Sequence, residues 1–196
     1  MDRSGGLNDY GPREKRVSFV EADELTRIGR AFAGNRLLAT FSQEARALIE
    51  PYADVIDLPV GSVVLRRGQN VADSLFPFGA TMISMTAELR DGRSVEVASI
   101  GAEGAVGGIV SCGDAPAFSR AEAQVGGLAL KVPMTLLEEA KGRSPFIANL
   151  FCRYSDYLLA QVMQSVACTA FHPVQARAAR WLLVAQDRAG DQLELT

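Results

Sequence analysis

A glycine-rich segment at residues 104–110, GAVGGIV, precedes the pair Ser119-Arg120. Glycines permit a tight bend whose backbone N–H groups can face an anion. Arginine adds a planar, permanently charged fork that binds phosphate oxygens in pairs. The combination is typical of a pocket that holds a phosphate. The predicted ligand pocket consists of Gly107, Gly108, Ile109, Ser119 and Arg120.

Few other residues could perform chemistry. The chain has one histidine, His172, and three cysteines, Cys112, Cys152 and Cys168, which are scattered without CxxC spacing. A metalloenzyme needs a cluster of histidine and carboxylate ligands, and an iron–sulfur centre needs about four grouped cysteines. No phosphate-binding loop, nucleophile elbow or dinucleotide fingerprint is present. We therefore expect no catalytic residues, no metal site, no cofactor and no enzymatic activity; for Cys112, an inert thiol is favoured over a redox role.

Composition limits the partners and the compartment. The 196 residues carry a net charge of −3, so no overall basic field attracts the chain to nucleic acid or to an anionic membrane. The N-terminus has no apolar signal-peptide core, and no apolar run approaches the roughly 20 residues of a membrane helix. Dispersed cysteines fit a reducing compartment. The expectation is a cytoplasmic protein with no membrane contact.

The middle of the chain is typical of a β-roll. From residue 55, short valine- and isoleucine-rich runs alternate with glycines, and Asp91-Gly92 predicts a hairpin with a type I′ turn. A further pair of strands, AEAQV and LALKV, flanks Gly126-Gly127. Two helical segments precede the strands, and Ser42 is a plausible N-cap of the second, FSQEARALIEPYADV. The predicted fold class is α+β, an antiparallel β-roll or jelly roll with N-terminal helices and a long C-terminal dimerisation helix.

That long helix is predicted over residues 144–171, where Ser144-Pro145 supplies an N-cap and a proline at the first helical position. It is apolar on most of its circumference, so it must bury more than one face. The roll can cover one face, and a second protomer is the simplest cover for the other; a central helix within a monomer is the alternative. The predicted dimer interface consists of Phe151, Tyr154, Leu158 and Val162. The opposite face, expected to meet the roll, consists of Phe146, Leu150, Leu159, Met163 and Val166.

Four regions follow from these patterns. Residues 1–20 are expected to form a flexible N-terminal arm, and residues 21–143 the roll with its flanking helices. Residues 144–171 form the long helix. His172-Pro173 breaks it, because the residue before proline is disfavoured in the α region, and residues 172–196 then begin another helix.

Two segments carry a resemblance to a known family: LFPFGATMISMTAELRDGRSVEVASIGAEGAVGG and FHPVQARAARWLLVAQDRAGDQLELT. With the order of elements around them, they resemble the Crp/Fnr family of bacterial transcription regulators. The resemblance implies a cyclic-nucleotide-binding-like roll, a long helix that pairs two subunits, and a winged helix-turn-helix after the break. It also implies that Thr196 lies before the recognition helix, so that DNA would be contacted only through a C-terminal head that this chain lacks.

The ligand cassette departs from that of family members that bind cyclic AMP. Gly108 stands where those members have an acidic residue for the ribose, and Ser119-Arg120 reverses their Arg-Ser or Arg-Thr pair. Because strand side chains alternate between faces, the reversed order directs the guanidinium away from the pocket. We expect the sensing and dimerisation portion of a regulator, a homodimer with an unknown small-molecule effector that is not cyclic AMP. The alternative is a headless dimerisation module that modulates full-length relatives.

Overall fold

The structure is a computed structural model, and it describes residues 19–109 and 116–190. The strands are β1 (Asp54–Leu58), β2 (Val63–Leu65), β3 (Asp73–Phe78), β4 (Met82–Glu88), β5 (Ser94–Ile100), β6 (Arg120–Val125) and β7 (Gly127–Pro133). The helices are α1 (Phe19–Gly34), α2 (Gln43–Ala47), α3 (Met134–Arg143), α4 (Pro145–Phe171) and α5 (Val174–Ala189). Residues 1–18 of the predicted arm lie outside the described residues, and residues 19 and 20 belong to α1.

The strands form two antiparallel sheets, with orders β1-β7-β3 and β2-β6-β4-β5. Their inner faces bury apolar side chains: Phe76 pairs in register with Leu130, and Ile83 pairs with Ile100. Helices flank the sheets at both ends of the chain. The predicted α+β class and antiparallel roll are confirmed.

Two local predictions about the strands need correction. β6 and β7 are consecutive, yet they lie in different sheets, because the chain crosses between the sheets at Gly126. The hairpin at Asp91-Gly92 is present, but only Gly92 has a positive φ, of 84°. A type I′ turn needs positive φ at both central residues, whereas a type I turn followed by a left-handed glycine needs it at one. Asp91 adopts ordinary backbone angles and accepts from the Arg93 N–H at 3.1 Å.

The helix beginning at Ser42 is shorter than the sequence predicts. Ser42 is its N-cap, as expected, and accepts from the Ala45 N–H at 3.2 Å. The α-helix nevertheless ends at Ala47, and a separate 3₁₀ turn, Glu50–Tyr52, follows. Pro51 lies in that turn, where its missing N–H cannot continue an α-helical ladder.

α4 begins and ends where the sequence predicts. Ser144 is its N-cap, Pro145 is its first residue, and the helix runs for 27 residues to Phe171, about 40 Å at 1.5 Å per residue. Extended backbone at His172 and Pro173 then separates α4 from α5. None of the helices within the described ranges combines the length and the apolar character that a membrane span requires.

The predicted assignment of the faces of α4 is wrong. Phe151, Tyr154 and Leu158 are 2%, 5% and 7% exposed within a single chain, and Val162 packs beside them. They contact the roll and therefore cannot also form a dimer interface.

The opposite set does not form one face. Phe146 and Leu150 lie toward the N-terminal helices, where the Phe146 ring meets the Phe41 ring edge-on at 6.1 Å. Leu159, Met163 and Val166 are instead 54%, 62% and 61% exposed, and they point away from the roll. We call these three residues the outer stripe.

The Tyr154 hydroxyl makes a buried polar contact between α4 and the roll. It donates to the Ala105 carbonyl at 3.1 Å and accepts from the Ala105 N–H at 3.0 Å. Burial raises the pKa of this phenol above its ordinary value, so the hydroxyl stays protonated and remains a donor. One side chain therefore satisfies both backbone groups of a residue that is 1% exposed.

Tyr154→Phe is expected to lower the free energy of unfolding by about 1–3 kcal/mol, because it leaves the buried N–H and C=O of Ala105 without partners. Denaturant unfolding measures the change. Tyr157→Phe is the matched control, since Tyr157 is 51% exposed and should tolerate the loss of its hydroxyl. Equal effects from the two variants would contradict this role for Tyr154.

Candidate ligand-binding site

The predicted pocket is built around a bend at residues 105–109. Gly107 and Gly108 have φ values of 94° and 62°, which are accessible mainly to glycine. The residue before them, Val106, is held by a two-way backbone bridge to Leu75 of β3, with both N···O distances at 2.8 Å. The bend therefore extends directly from the edge of a sheet.

Side chains from three different elements bind the carbonyl oxygens of this bend. Ser74 of β3 donates to the Gly107 carbonyl at 2.7 Å. Lys141 of α3 donates to the Gly108 carbonyl at 3.2 Å, and Ser155 of α4 donates to the Ile109 carbonyl at 3.1 Å. The bend is thus fastened to a strand and to two helices by the protein itself.

Gly108 has no room for a side chain. A Cβ built on Gly108 would overlap the sulfur of Met134, whose own side chain is 4% exposed. An acidic residue therefore cannot occupy this position in the present packing. The thioether of Met134 fills the space in which a side chain at position 108 would begin.

Ser119 and Arg120 point to different sides of the sheet. Ser119 is 6% exposed and lines the cavity beside the bend. Arg120 lies on the other side, where its Nε donates to Glu122 at 3.1 Å. Ala121 and Ala123, which alternate with Arg120 and Glu122 along β6, are buried, as strand alternation requires. Arg120 already has a carboxylate partner and does not line the cavity.

The cavity beside the bend is small and apolar. Its volume is about 60 Å³, room for about two water molecules, whereas pockets for small molecules are typically ~300–1,000 Å³. It brings together four of the five predicted pocket residues, leaving out Arg120. No charged side chain lines it among the described residues. The lining residues are Leu65, Val71, Met85, Ala105, Val106, Gly107, Gly108, Ile109, Pro116, Ala117, Phe118, Ser119 and Leu158.

The residues that fasten the bend were not predicted from the sequence. Met134 lies 26 positions after Gly108, and local periodicity carries no information about such a contact. Ser155 could have been found from the sequence, because it lies one turn after Phe151 on the buried side of an apolar helix. A buried hydroxyl needs a hydrogen-bond partner. Cys112 lies outside the described residues. Within the ranges that the structure describes, no group of histidine, cysteine and carboxylate side chains could hold a metal ion.

No protein-family model matches the chain, and no curated protein matches its sequence. Solved structures do match its fold. One is described as a transcriptional regulator of the Crp/Fnr family from Eubacterium rectale, with 14% identity, 77% of this chain and 70% of that chain covered, and a TM-score of 0.61. Another is the c-di-GMP-responsive global regulator CLP of Xanthomonas campestris, with 18% identity, coverage of 70% and 68%, and a TM-score of 0.57.

An enzyme shares the same fold. The cAMP-binding acyltransferase of Mycobacterium smegmatis is 14% identical, with 67% of this chain and 40% of that chain covered and a TM-score of 0.54. The chain therefore has the fold of the Crp/Fnr regulators and cyclic-nucleotide-binding domains, and the predicted resemblance is confirmed at that level. Because this fold serves both regulators and an enzyme, the fold alone assigns neither a ligand nor an output.

Gly108→Ala is expected to lower the free energy of unfolding by more than a positive-φ substitution alone, for which ~1 kcal/mol is typical. The added methyl group would displace Met134 as well as strain the backbone. Gly61→Ala is the matched control, because Gly61 has a φ of 80° and open space around its Cβ position. Thermal or denaturant unfolding measures both variants. If Gly108→Ala costs no more than Gly61→Ala, Met134 does not fill the position.

Proposed function

We propose that this chain is the effector-sensing and dimerisation portion of a Crp/Fnr-type transcription regulator. One observation carries the proposal: the bend at residues 105–109 is hydrogen-bonded directly to the long helix, through Tyr154 to Ala105 and through Ser155 to Ile109. A change at the roll that shifts this bend must therefore shift α4 or break these bonds. Coupling between a ligand site and a long helix is what a sensor domain requires.

The effector in this proposal is a small molecule other than cyclic AMP. Met134 occupies the position of the acidic residue, Arg120 is paired with Glu122, and the cavity holds about 60 Å³. A cyclic phosphodiester buried there would have no cationic partner among the described residues that line the cavity. Its desolvation would cost several kcal/mol without compensation.

Homodimerisation through α4 is the second part of the proposal. Leu159, Met163 and Val166 are spaced by four and three residues, the spacing of a coiled-coil seam. A continuous row of large, exposed apolar side chains on a long helix marks an interaction surface. A second copy related by a two-fold axis would pack its own outer stripe against this one.

The output of the proposed regulator is DNA binding by a head that follows α5. α5 packs back on the roll, where Trp181 Nε1 donates to Glu96 at 3.2 Å and Arg188 Nε donates to Glu103 at 2.6 Å. Such contacts would set the direction in which a following domain leaves the sensor. Such a regulator would act in the cytoplasm.

Cyclic AMP is expected not to stabilise the protein. A ligand at 100 times its dissociation constant would raise the free energy of unfolding by about 2.7 kcal/mol, which a thermal melt detects easily. We expect no shift of the melting temperature with cyclic AMP or cyclic GMP, and a cyclic-AMP-binding domain of the same fold serves as the positive control. A saturable shift at micromolar cyclic AMP would refute this part of the proposal.

Met163→Glu is expected to convert a dimer into a folded monomer, because the introduced carboxylate would face its own copy and both would be desolvated. Arg153→Glu is the matched control, since it places the same side chain at an exposed position of α4 outside the outer stripe. Light scattering measures the assembly. Leu158→Glu, by contrast, should unfold the protein, because Leu158 lies in the core.

A wild-type protein that is monomeric at tens of micromolar would end the dimer proposal. So would a Met163→Glu variant that stays dimeric. A far-ultraviolet circular dichroism spectrum of Met163→Glu establishes that the variant is folded, so that a loss of the dimer can be attributed to the interface.

A further inference from the structure

A second cavity lies between the roll and the two C-terminal helices. Its volume is about 700 Å³, within the range of small-molecule pockets. One wall is formed by Arg36 and Glu103 from segments beside the sheets, and the other by Tyr157 and Gln161 of α4 with residues of α5. We call this cavity the interhelix cleft. It shares no lining residue with the cavity beside the glycine bend.

Arg188 of α5 lines this cleft and has one donor without a partner among the described residues. Its side chain is 9% exposed, and its Nε donates to Glu103 Oε1 at 2.6 Å. Glu103 also accepts from the Gly101 N–H, at 3.1 and 3.2 Å from its two oxygens. The buried Nη1 of Arg188 has no partner among the described residues. A guanidinium that binds a carboxylate through one edge keeps another edge free for a second anion.

Arg180 lies two turns before Arg188, on the same side of α5, and it lacks a carboxylate. Its Nη2 is 3.4 Å from the Ser165 hydroxyl, and its buried Nε has no partner within the described ranges. Gln161 donates from Nε2 to the Ser99 carbonyl at 3.0 Å and leaves its buried Oε1 unpaired. Besides the cleft, Arg180 and Gln161 line a separate hollow of about 10 Å³, which accommodates a water molecule at most.

The charges around the cleft do not balance locally. Arg36, Arg180 and Arg188 face Glu103 and Asp187, and Glu103 is already bound to Arg188. Arg36 and Arg180 form no salt bridge in the part of the chain that the structure describes. A partly buried guanidinium without an anion is costly, and an anion that enters the cleft would remove that cost. Tyr157 and Val184 add apolar surface beside the arginines.

We propose that the interhelix cleft is a binding site for a small organic anion, whose carboxylate or phosphate group is held by Arg180 and Arg188, with Arg36 at the entrance. The aromatic ring of Tyr157 and the side chain of Val184 would contact the organic part of the ligand. Because the cationic residues come from α5 and from beside the roll, the anion would bridge the two. This site does not depend on the proposed regulatory function or on dimerisation.

The test uses benzoate and phenyl phosphate as probes, with benzyl alcohol as the neutral analogue and inorganic phosphate as the anion without an organic part. Isothermal titration calorimetry and thermal melts are performed at constant ionic strength. Saturable binding of benzoate, phenyl phosphate or both is expected, and the comparison of the two shows which acid group the site prefers. Benzyl alcohol should not bind, and inorganic phosphate should bind more weakly than phenyl phosphate.

Substitutions locate the site. Arg180→Gln is expected to weaken binding of the preferred probe by about 10- to 100-fold, the effect of losing a charge-assisted hydrogen bond. Arg177→Gln is the matched control, because Arg177 is exposed on the same helix and does not line the cleft. Arg188→Gln would also remove the contact with Glu103, so its effect on binding could not be separated from an effect on folding. The second test is therefore Arg36→Gln, at the exposed entrance, because this variant should fold normally.

Two results would overturn the proposal. One is the absence of saturable binding by both organic anions at millimolar concentration. The other is an equal loss of affinity in Arg177→Gln and Arg180→Gln, which would indicate a general effect of net charge. Neither result bears on the oligomeric state or on the cyclic AMP melts, so the two proposals can fail separately.

Discussion

The packing of α4 against the roll is the constraint on which the rest of the structure depends. Phe151, Tyr154 and Leu158 join two core clusters, one under the N-terminal helices and one between the sheets. The Tyr154 hydroxyl fits against Gly104, where any side chain would overlap it. The glycine at this position is therefore needed for the close approach of the helix. Without this close approach, Ser155 could not reach the Ile109 carbonyl.

The bend at residues 105–109 is held by hydrogen bonds to its carbonyl groups. The carbonyls of Gly107, Gly108 and Ile109 accept hydrogen bonds from a strand, from α3 and from α4, respectively. Each such bond contributes about 1 kcal/mol, and together they fix the bend to all three elements. Met134 then fills the position that a polar side chain would need. The bend thus joins the sheet to the helices.

The sequence predicted those features that depend on neighbours along the chain. Ser42 and Ser144 cap helices, and His172-Pro173 ends α4, because capping and proline sterics act within a few residues. The side of the sheet that Arg120 occupies also followed from strand alternation. The faces of α4 were assigned wrongly, since both contain large apolar residues and helical periodicity cannot show which one meets the roll.

The interhelix cleft also could not be predicted from the sequence. Arg180 and Arg188 look like ordinary surface charges of an amphipathic helix, and only the packing of α5 onto the roll buries them. Met134 likewise shows no special feature until the fold brings it against Gly108. In each case the decisive contact joins residues that are distant in sequence.

The position of α5 depends on two carboxylates of the roll. Glu96 accepts from Ser84 at 2.5 Å, from Ser99 at 2.8 Å and from Trp181 at 3.2 Å, so both of its oxygens are bound by neutral donors. Glu103 instead accepts from the charged Arg188, which lies seven residues, or about two helical turns, after Trp181. The two contacts of α5 with these carboxylates therefore differ in the charge of the donor. The contact at Glu96 is fixed by a neutral network, whereas the contact at Glu103 shares its arginine with the interhelix cleft. An anion in that cleft would compete with Glu103 for the same guanidinium or would extend the pair into a bridge, and either change would act on the end of α5 that lies nearer the C-terminus.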